Sequence, residues 1–153
     1  MAERYKVDQV HPTSMRAVSI VTLGVRDLAL SSDFYRSLGF EMSTKSSEDI
    51  VWFRTGGTVL GLYPWDALAD DVGVPPHSSG FRGVTLAMNM VSKEAVEHMI
   101  EKARTTGATI VKEPQDVFWG GYSSYFQDPD GHLWEVAWNP FTPVDEMGNL
   151  DME

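Results

Sequence analysis

Among the residues that could bind a metal or transfer a proton, the chain has 22 Asp and Glu but few histidines, which are widely spaced. Cysteine is absent, which excludes disulfides, thiolate metal sites and a cysteine nucleophile. Four histidines occur, His11, His77, His98 and His132. His132 lies three residues before Glu135, so strand alternation directs these two side chains to opposite faces. Because Mg, Zn or Fe needs three or more convergent ligands, we predict no metal and no cofactor.

Composition narrows the class of protein further. The chain has 153 residues, a formal charge of −10 and a sequence pI of about 4.7. This length predicts one domain, and the acidic charge disfavours nucleic acid and anionic membranes as partners. Residues 1–14 are polar and charged, without the apolar run of a secretory signal, so we expect a cytoplasmic protein.

Hydrophobic periodicity predicts two modules with the same order of elements, strand, helix and three strands. The first module has strand 18–25, a helix capped by Asp27 and ended by Gly39, and strands 41–44, 50–55 and 58–63. The second has strand 83–90, a helix capped by Ser92 and ended by Gly107, and strands 109–112, 122–127 and 132–138. One turn of helix is predicted over 65–69. Each module alone would be marginal, so the two should pack into one domain.

These modules divide the chain into five segments. They are an N-terminal extension over 1–16, the first module over 17–66, a linker over 67–82, the second module over 83–140 and an acidic tail over 141–153. Asp128-Pro129-Asp130-Gly131 is predicted to be a turn between the last two strands.

Several motifs resemble the glyoxalase, bleomycin-resistance and extradiol-dioxygenase superfamily, also called vicinal oxygen chelate proteins. They are Val25-Arg26-Asp27-Leu28, Phe34-Tyr35, Leu38-Gly39-Phe40 and the run from Tyr125 to Glu135. The resemblance covers about residues 17–140. It implies an α+β fold in which two βαβββ modules form a curved mixed sheet around a cup, with helices on its outer side. It also implies a homodimer.

The resemblance further implies where a metal would be bound in the enzymes of the superfamily. The four ligand positions correspond here to Ile20, Gly61, Gly83 and Glu135. Only Glu135 can bind a metal, so we predict that the inherited metal site is absent. Glycine at lost ligand positions should leave space for an organic ligand.

Strand alternation predicts which side chains face this cup. Thr22, Ser123 and Tyr125 also match polar positions that contact substrate in fosfomycin-resistance relatives. The predicted ligand-binding residues are Thr22, Trp52, Arg54, Tyr63, Trp119, Tyr122, Ser123, Tyr125 and Glu135, with Trp119 and Tyr122 at a rim beside Gly120-Gly121.

Glu135 has two open interpretations. A carboxylate on an apolar wall should be paired, hydrogen-bonded or protonated, so Glu135 is either a remnant held by Arg54 or backbone groups, or a functional group. In the second case it binds a ligand amine or hydroxyl, or acts as a catalytic acid or base.

Three functions follow from these residues and the resemblance. The first is a metal-free protein that binds a small organic molecule in the cup. The second is a divalent-metal-dependent enzyme, either a lyase similar to lactoylglutathione lyase or a dioxygenase. The third is a metal-free enzyme that uses Glu135 as acid or base.

Overall fold

The computed structural model describes residues 17–77 and 79–152, and the predicted N-terminal extension with His11 lies outside them. The elements, in chain order, are β1 (Ile20–Val25), α1 (Leu28–Leu38), β2 (Glu41–Met42), β3 (Val51–Arg54), β4 (Val59–Pro64), α2 (Trp65–Val72), β5 (Thr85–Asn89), α3 (Lys93–Thr106), β6 (Thr109–Asp116), β7 (Tyr122–Gln127) and β8 (Leu133–Trp138). The predicted α+β class and the duplicated βαβββ order are confirmed.

The two long helices begin and end at the residues that the sequence indicates. Asp27 Oδ1 accepts a hydrogen bond from the backbone nitrogen of Leu30 at 3.0 Å, which caps α1. Ser92 caps α3 in the same way. Gly39 and Gly107 end these helices with φ of 106° and 107°, a conformation that glycine adopts without a steric penalty.

The eight strands form two separate four-stranded sheets. Sheet A has the order β1-β4-β3-β2, and sheet B has the order β5-β8-β7-β6. In each sheet the first strand pairs in parallel with the last, and the other pairs are antiparallel. β1 and β5 are therefore edge strands of their sheets.

Helix α1 lies between the two sheets, because it packs against both, and α3 packs against α1 and sheet B. The Tyr35 ring centroid lies 6.0 Å from that of Phe53 in sheet A and 5.9 Å from that of Trp134 in sheet B. A cavity of about 650 Å³, lined by Val21 from β1 and Met88 from β5 among others, separates the sheets where no helix fills the space. The superfamily resemblance implied one curved sheet with the helices on its outer side. Periodicity defines the apolar face of each module, but it does not indicate what that face packs against.

Hydrogen bonds between the modules converge on the turn between β7 and β8. The Tyr35 hydroxyl donates to Asp128 Oδ2 at 2.6 Å, and Trp134 Nε1 donates to the Tyr35 oxygen at 3.0 Å. The backbone nitrogen of Arg26 donates to Asp130 Oδ1 at 2.9 Å. Burial, and then the charge of Asp128, raise the pKa of Tyr35 well above its usual value. We call Arg26, Tyr35, Asp128, Asp130 and Trp134 the inter-module clamp.

Helix α2 is longer than the single predicted turn. It covers the side of sheet A opposite α1, where a Cβ placed at Gly24 would lie 3.3 Å from Trp65 Cε3. Trp65, Leu68, Ala69 and Val72 recur at helical spacing and line a cavity beside β1. None of the helices in the described ranges is long and apolar enough to cross a bilayer.

Candidate functional site

The face of each sheet that points away from α1 and α3, which we call its outer face, carries most of the predicted site residues. On sheet B, Tyr125 lies directly opposite Glu135, and Ala87 lies opposite Glu135 on the other side. The Tyr125 hydroxyl donates to Glu135 Oε2 at 2.6 Å. The two side chains that the sequence placed on one wall are therefore in contact.

The hydrogen bond determines which chemistry Tyr125 supplies. The bond to Glu135, then partial burial and then the charge of Glu135 raise the pKa of Tyr125 to about 12. The phenol thus stays protonated at neutral pH, where it donates a hydrogen bond and does not act as a base.

Arg54 is not the partner of Glu135. Its Nη1 lies 3.0 Å from Glu41 Oε1 on the neighbouring strand of sheet A, and both side chains are about 70% exposed. Within residues 17–77 and 79–152, no cationic group lies within 4.0 Å of Glu135. The predicted ion pair is therefore replaced by the neutral donor Tyr125, since Arg54 belongs to the other sheet.

On sheet A, the space over Gly61 is filled by a side chain. Trp52 lies opposite Gly61 on β3, and a Cβ placed at Gly61 would lie 2.7 Å from Trp52 Cζ3 and 3.4 Å from Thr22 Oγ1. The expectation that this glycine leaves room for a ligand is therefore wrong. The indole itself occupies that room, and Trp52 remains half-buried at the surface of the sheet.

The remaining positions predicted as former metal ligands have no suitable side chain. Ile20 is 49% exposed on the edge strand β1. Gly83 was predicted to begin the strand 83–90, but β5 begins at Thr85, and Gly83 lies before it with φ of 77°. In the described part of the chain, no group of three or more His, Cys, Asp or Glu could hold a metal ion.

The other predicted binding residues lie on both sides of sheet B and on sheet A. The ring of Trp119 lies over Gly121, where an added Cβ would overlap it, and Ser123 follows on the same outer face with 4% exposure. Tyr122 lies on the opposite side, where its hydroxyl donates to Glu97 of α3 at 2.8 Å. Tyr63 lies opposite Gly24 on sheet A, half-buried.

Sequence reasoning missed two features that lie near this site. One is the clamp, whose turn the sequence indicated without indicating what Asp128 binds. The other is a cluster of Arg26, Arg82 and His132 around the indole of Trp65. Neither could be inferred from periodicity, because each joins residues far apart in the chain.

Comparison with known proteins identifies the family of the chain and supports its fold. A sequence profile of the Glyoxalase/Bleomycin resistance protein/Dioxygenase superfamily matches residues 17–136, and the chain belongs to this superfamily. No curated protein matches the sequence significantly.

Solved structures extend the similarity to nearly the whole chain. A glyoxalase-related enzyme from Fulvimarina pelagi superposes with a TM-score of 0.82 at 29% identity, covering 90% of this chain and 99% of that one. A superfamily enzyme from Burkholderia phytofirmans gives 0.73 at 24%, covering 80% and 98%. Lactoylglutathione lyase from Agrobacterium tumefaciens gives 0.63 at 24%, covering 84% and 97%. The last two similarities concern the fold alone.

Proposed function

We propose that this superfamily member binds a small organic molecule at the outer faces of its sheets without a metal. The observation that carries the proposal is the packing of Trp52 over Gly61, because an aromatic ring occupies the space beside one of the four predicted ligand positions. Two others hold Ile20 and Gly83, which have no side-chain donor. Glu135 is engaged by the Tyr125 phenol. An aromatic surface with a few polar groups suits an organic ligand.

A second candidate function is a metal-free enzyme that uses Glu135. The observation in its favour is the 2.6 Å bond from Tyr125, which holds the Glu135 carboxylate in one orientation on the outer face. A substrate with an acidic proton could then approach the oxygen that Tyr125 does not use. A metal-dependent lyase or dioxygenase would need donors that the predicted ligand positions lack.

Metal analysis and ligand screening test the proposal together. We expect protein purified without chelator to contain substoichiometric Mn, Fe, Ni and Zn, and expect these ions not to raise its melting temperature. Antibiotics, aromatic metabolites and glutathione conjugates are the organic probes, because a ligand that binds only the folded chain raises the melting temperature. Glu135→Gln should weaken a ligand found in this way.

The matched control for that variant is Glu97→Gln, which neutralises the α3 carboxylate that accepts from Tyr122 on the opposite side of sheet B. Near-stoichiometric metal that is lost in Glu135→Gln but retained in Glu97→Gln would overturn the metal-free proposal. Turnover of a substrate that falls only in Glu135→Gln would favour the enzyme.

We further propose that the ligand site is completed by a second copy of the chain. The outer faces of the two sheets point away from the shared helical layer, and neither Tyr125 nor Glu135 lines any of the four main cavities of the described residues. β1 and β5 are edge strands, and an edge presents unpaired backbone groups to another strand. Pairing sheet A of one copy with sheet B of another would enclose the outer face of sheet B and the part of the outer face of sheet A that α2 does not cover.

Light scattering coupled to size exclusion measures this assembly. We expect a mass twice the 17.1 kDa of one chain at tens of micromolar. Ile20→Glu, on the exposed outer side of β1, should yield monomer, because it buries an unpaired charge at the interface. Leu30→Glu changes an exposed apolar side chain on α1, away from both edge strands, and should remain dimeric. A monomeric wild-type chain would contradict the proposal.

A further inference from the structure

We infer that the cluster around Trp65 is a binding site for an organic carboxylate, separate from the outer face that carries Glu135. The Arg26 guanidinium carbon lies 4.3 Å from the centroid of the Trp65 ring, and that of Arg82 lies 5.2 Å away. The His132 ring is stacked on the same indole at 5.9 Å. Two of the 12 cationic side chains of a strongly acidic protein thus converge on one aromatic ring.

Arg82 has donors available for an anion. Its Nη2 donates to the carbonyl oxygen of Asp130 at 3.3 Å and lies 3.2 Å from His132 Nδ1. A guanidinium has five N–H donors, and these contacts use only those on Nη2. In the described ranges no carboxylate lies within ion-pair distance of Arg82.

His132 holds the Arg82 guanidinium in place. His132 Nε2 lies 2.7 Å from the carbonyl oxygen of Gly24, so Nε2 must carry the proton and donate. Nδ1 of the neutral ring is then the acceptor for Arg82 Nη2. The guanidinium is therefore fixed before any ligand arrives, which lowers the entropic cost of binding.

The local charge fits a monovalent anion. Arg26 Nη1 lies 3.5 Å from Asp130 Oδ1, whose carboxylate also accepts from the Arg26 backbone nitrogen and from the Ser31 hydroxyl. Asp130 thus offsets the charge of Arg26, and the carboxylate of Asp128 in the same turn is engaged by the Tyr35 hydroxyl and by the backbone nitrogens of Asp130 and His132. Arg82 is then the guanidinium that one carboxylate can pair with.

Two adjoining cavities can hold the carboxylate and the apolar body of such a ligand. One, of about 420 Å³, is lined by Arg26, Arg82, Gln127 and Asp130 among others. The second, of about 310 Å³, lies on the outer face of sheet A, where Thr22 and Gly24 form its floor. Its walls are Trp65, His132 and apolar residues of α2 and the loop after it, among them Leu68, Val72 and Pro76. An anion with an aromatic or short aliphatic body can place its carboxylate at Arg82 and its body against α2.

Calorimetric titration of the full chain with phenylacetate tests the site. A ligand of this size is expected to bind with a dissociation constant of about 1 mM. Arg82→Gln should weaken the binding of phenylacetate by about tenfold or more, because it removes a charge-assisted pair. Arg82→Lys should restore part of that affinity. Phenylacetamide, which has the same shape without the charge, should bind about tenfold more weakly than phenylacetate. Acetate and inorganic phosphate, which lack the apolar body, should also bind more weakly.

Two controls separate this site from other effects. Arg36→Gln removes an equally exposed arginine of α1 and should leave phenylacetate binding unchanged. Glu135→Gln should also leave phenylacetate binding unchanged, because Glu135 lies on the outer face of sheet B. The proposed function at Glu135 and the carboxylate site at Arg82 can therefore fail independently. The inference is overturned if phenylacetate shows no saturable binding to the wild-type chain, if Arg82→Gln binds it as tightly, or if phosphate binds more tightly than phenylacetate.

Discussion

Replacing Asp128 with alanine is expected to lower the free energy of unfolding by at least about 3 kcal/mol, because three donors lose a buried acceptor at once. Asp128 is 4% exposed, and its carboxylate accepts from the Tyr35 hydroxyl at 2.6 Å and from the backbone nitrogens of Asp130 and His132 at 2.9 and 2.8 Å. For a chain of this size, the loss corresponds to a fall in melting temperature of about 6–12 °C.

Thermal and denaturant unfolding measure this effect, with two companion variants. Tyr35→Phe removes one bond to Asp128 and leaves Trp134 Nε1 without its acceptor, so a smaller loss of about 1.5–3 kcal/mol is expected. Asp33→Ala removes an exposed carboxylate of α1 and should change stability by less than about 0.5 kcal/mol. If Asp128→Ala were no more harmful than Asp33→Ala, the clamp would not hold the modules together.

Replacing Gly61 with glutamate is expected to destabilise the chain by about 2–5 kcal/mol, through overpacking and an unpaired carboxylate in a buried position. The new Cβ would lie 2.7 Å from Trp52 Cζ3 and 3.0 Å from Cε3, so the indole must move. This variant places a carboxylate, which can bind a metal, at one of the four ligand positions that the superfamily resemblance implies. It therefore tests whether aromatic packing has replaced coordination at this position.

Gly57→Glu is the matched control, because it makes the same substitution in the neighbouring turn, where an added Cβ has no atom within 4 Å. In a Trp52→Ala background, Gly61→Glu should cost less than in the wild type, since the ring that it displaces is gone. Denaturant titration of the four variants of this cycle gives the coupling energy. Equal stability of Gly61→Glu and Gly57→Glu would show that the space over Gly61 is not filled.

The sequence predicted the faces of the strands well, because alternation depends only on local backbone geometry. Thr22, Trp52 and Gly61 lie side by side on one outer face, and Tyr125 lies beside Glu135 on the other, in agreement with their predicted parity. The helix caps were predicted for the same reason, since a cap is decided within four residues.

Alternation did not predict which side chains on different strands pair with each other. Parity placed Arg54 and Glu135 on a common wall, yet Arg54 pairs with Glu41 and Glu135 with Tyr125. Alternation indicates which way a side chain points, but it does not indicate which sheet lies opposite. The relative placement of the two modules depends on Tyr35 and Asp128, whose contact spans 93 positions.

That separation along the chain has a consequence for the rates of folding and unfolding. Contacts between distant residues carry the entropic cost of closing a long loop, so we expect the modules to acquire their helices and hairpins before the clamp closes. Interactions that are absent from the transition state act mainly on the unfolding rate. We therefore expect loss of the Tyr35–Asp128 bond to raise the unfolding rate of the chain more than it lowers the folding rate.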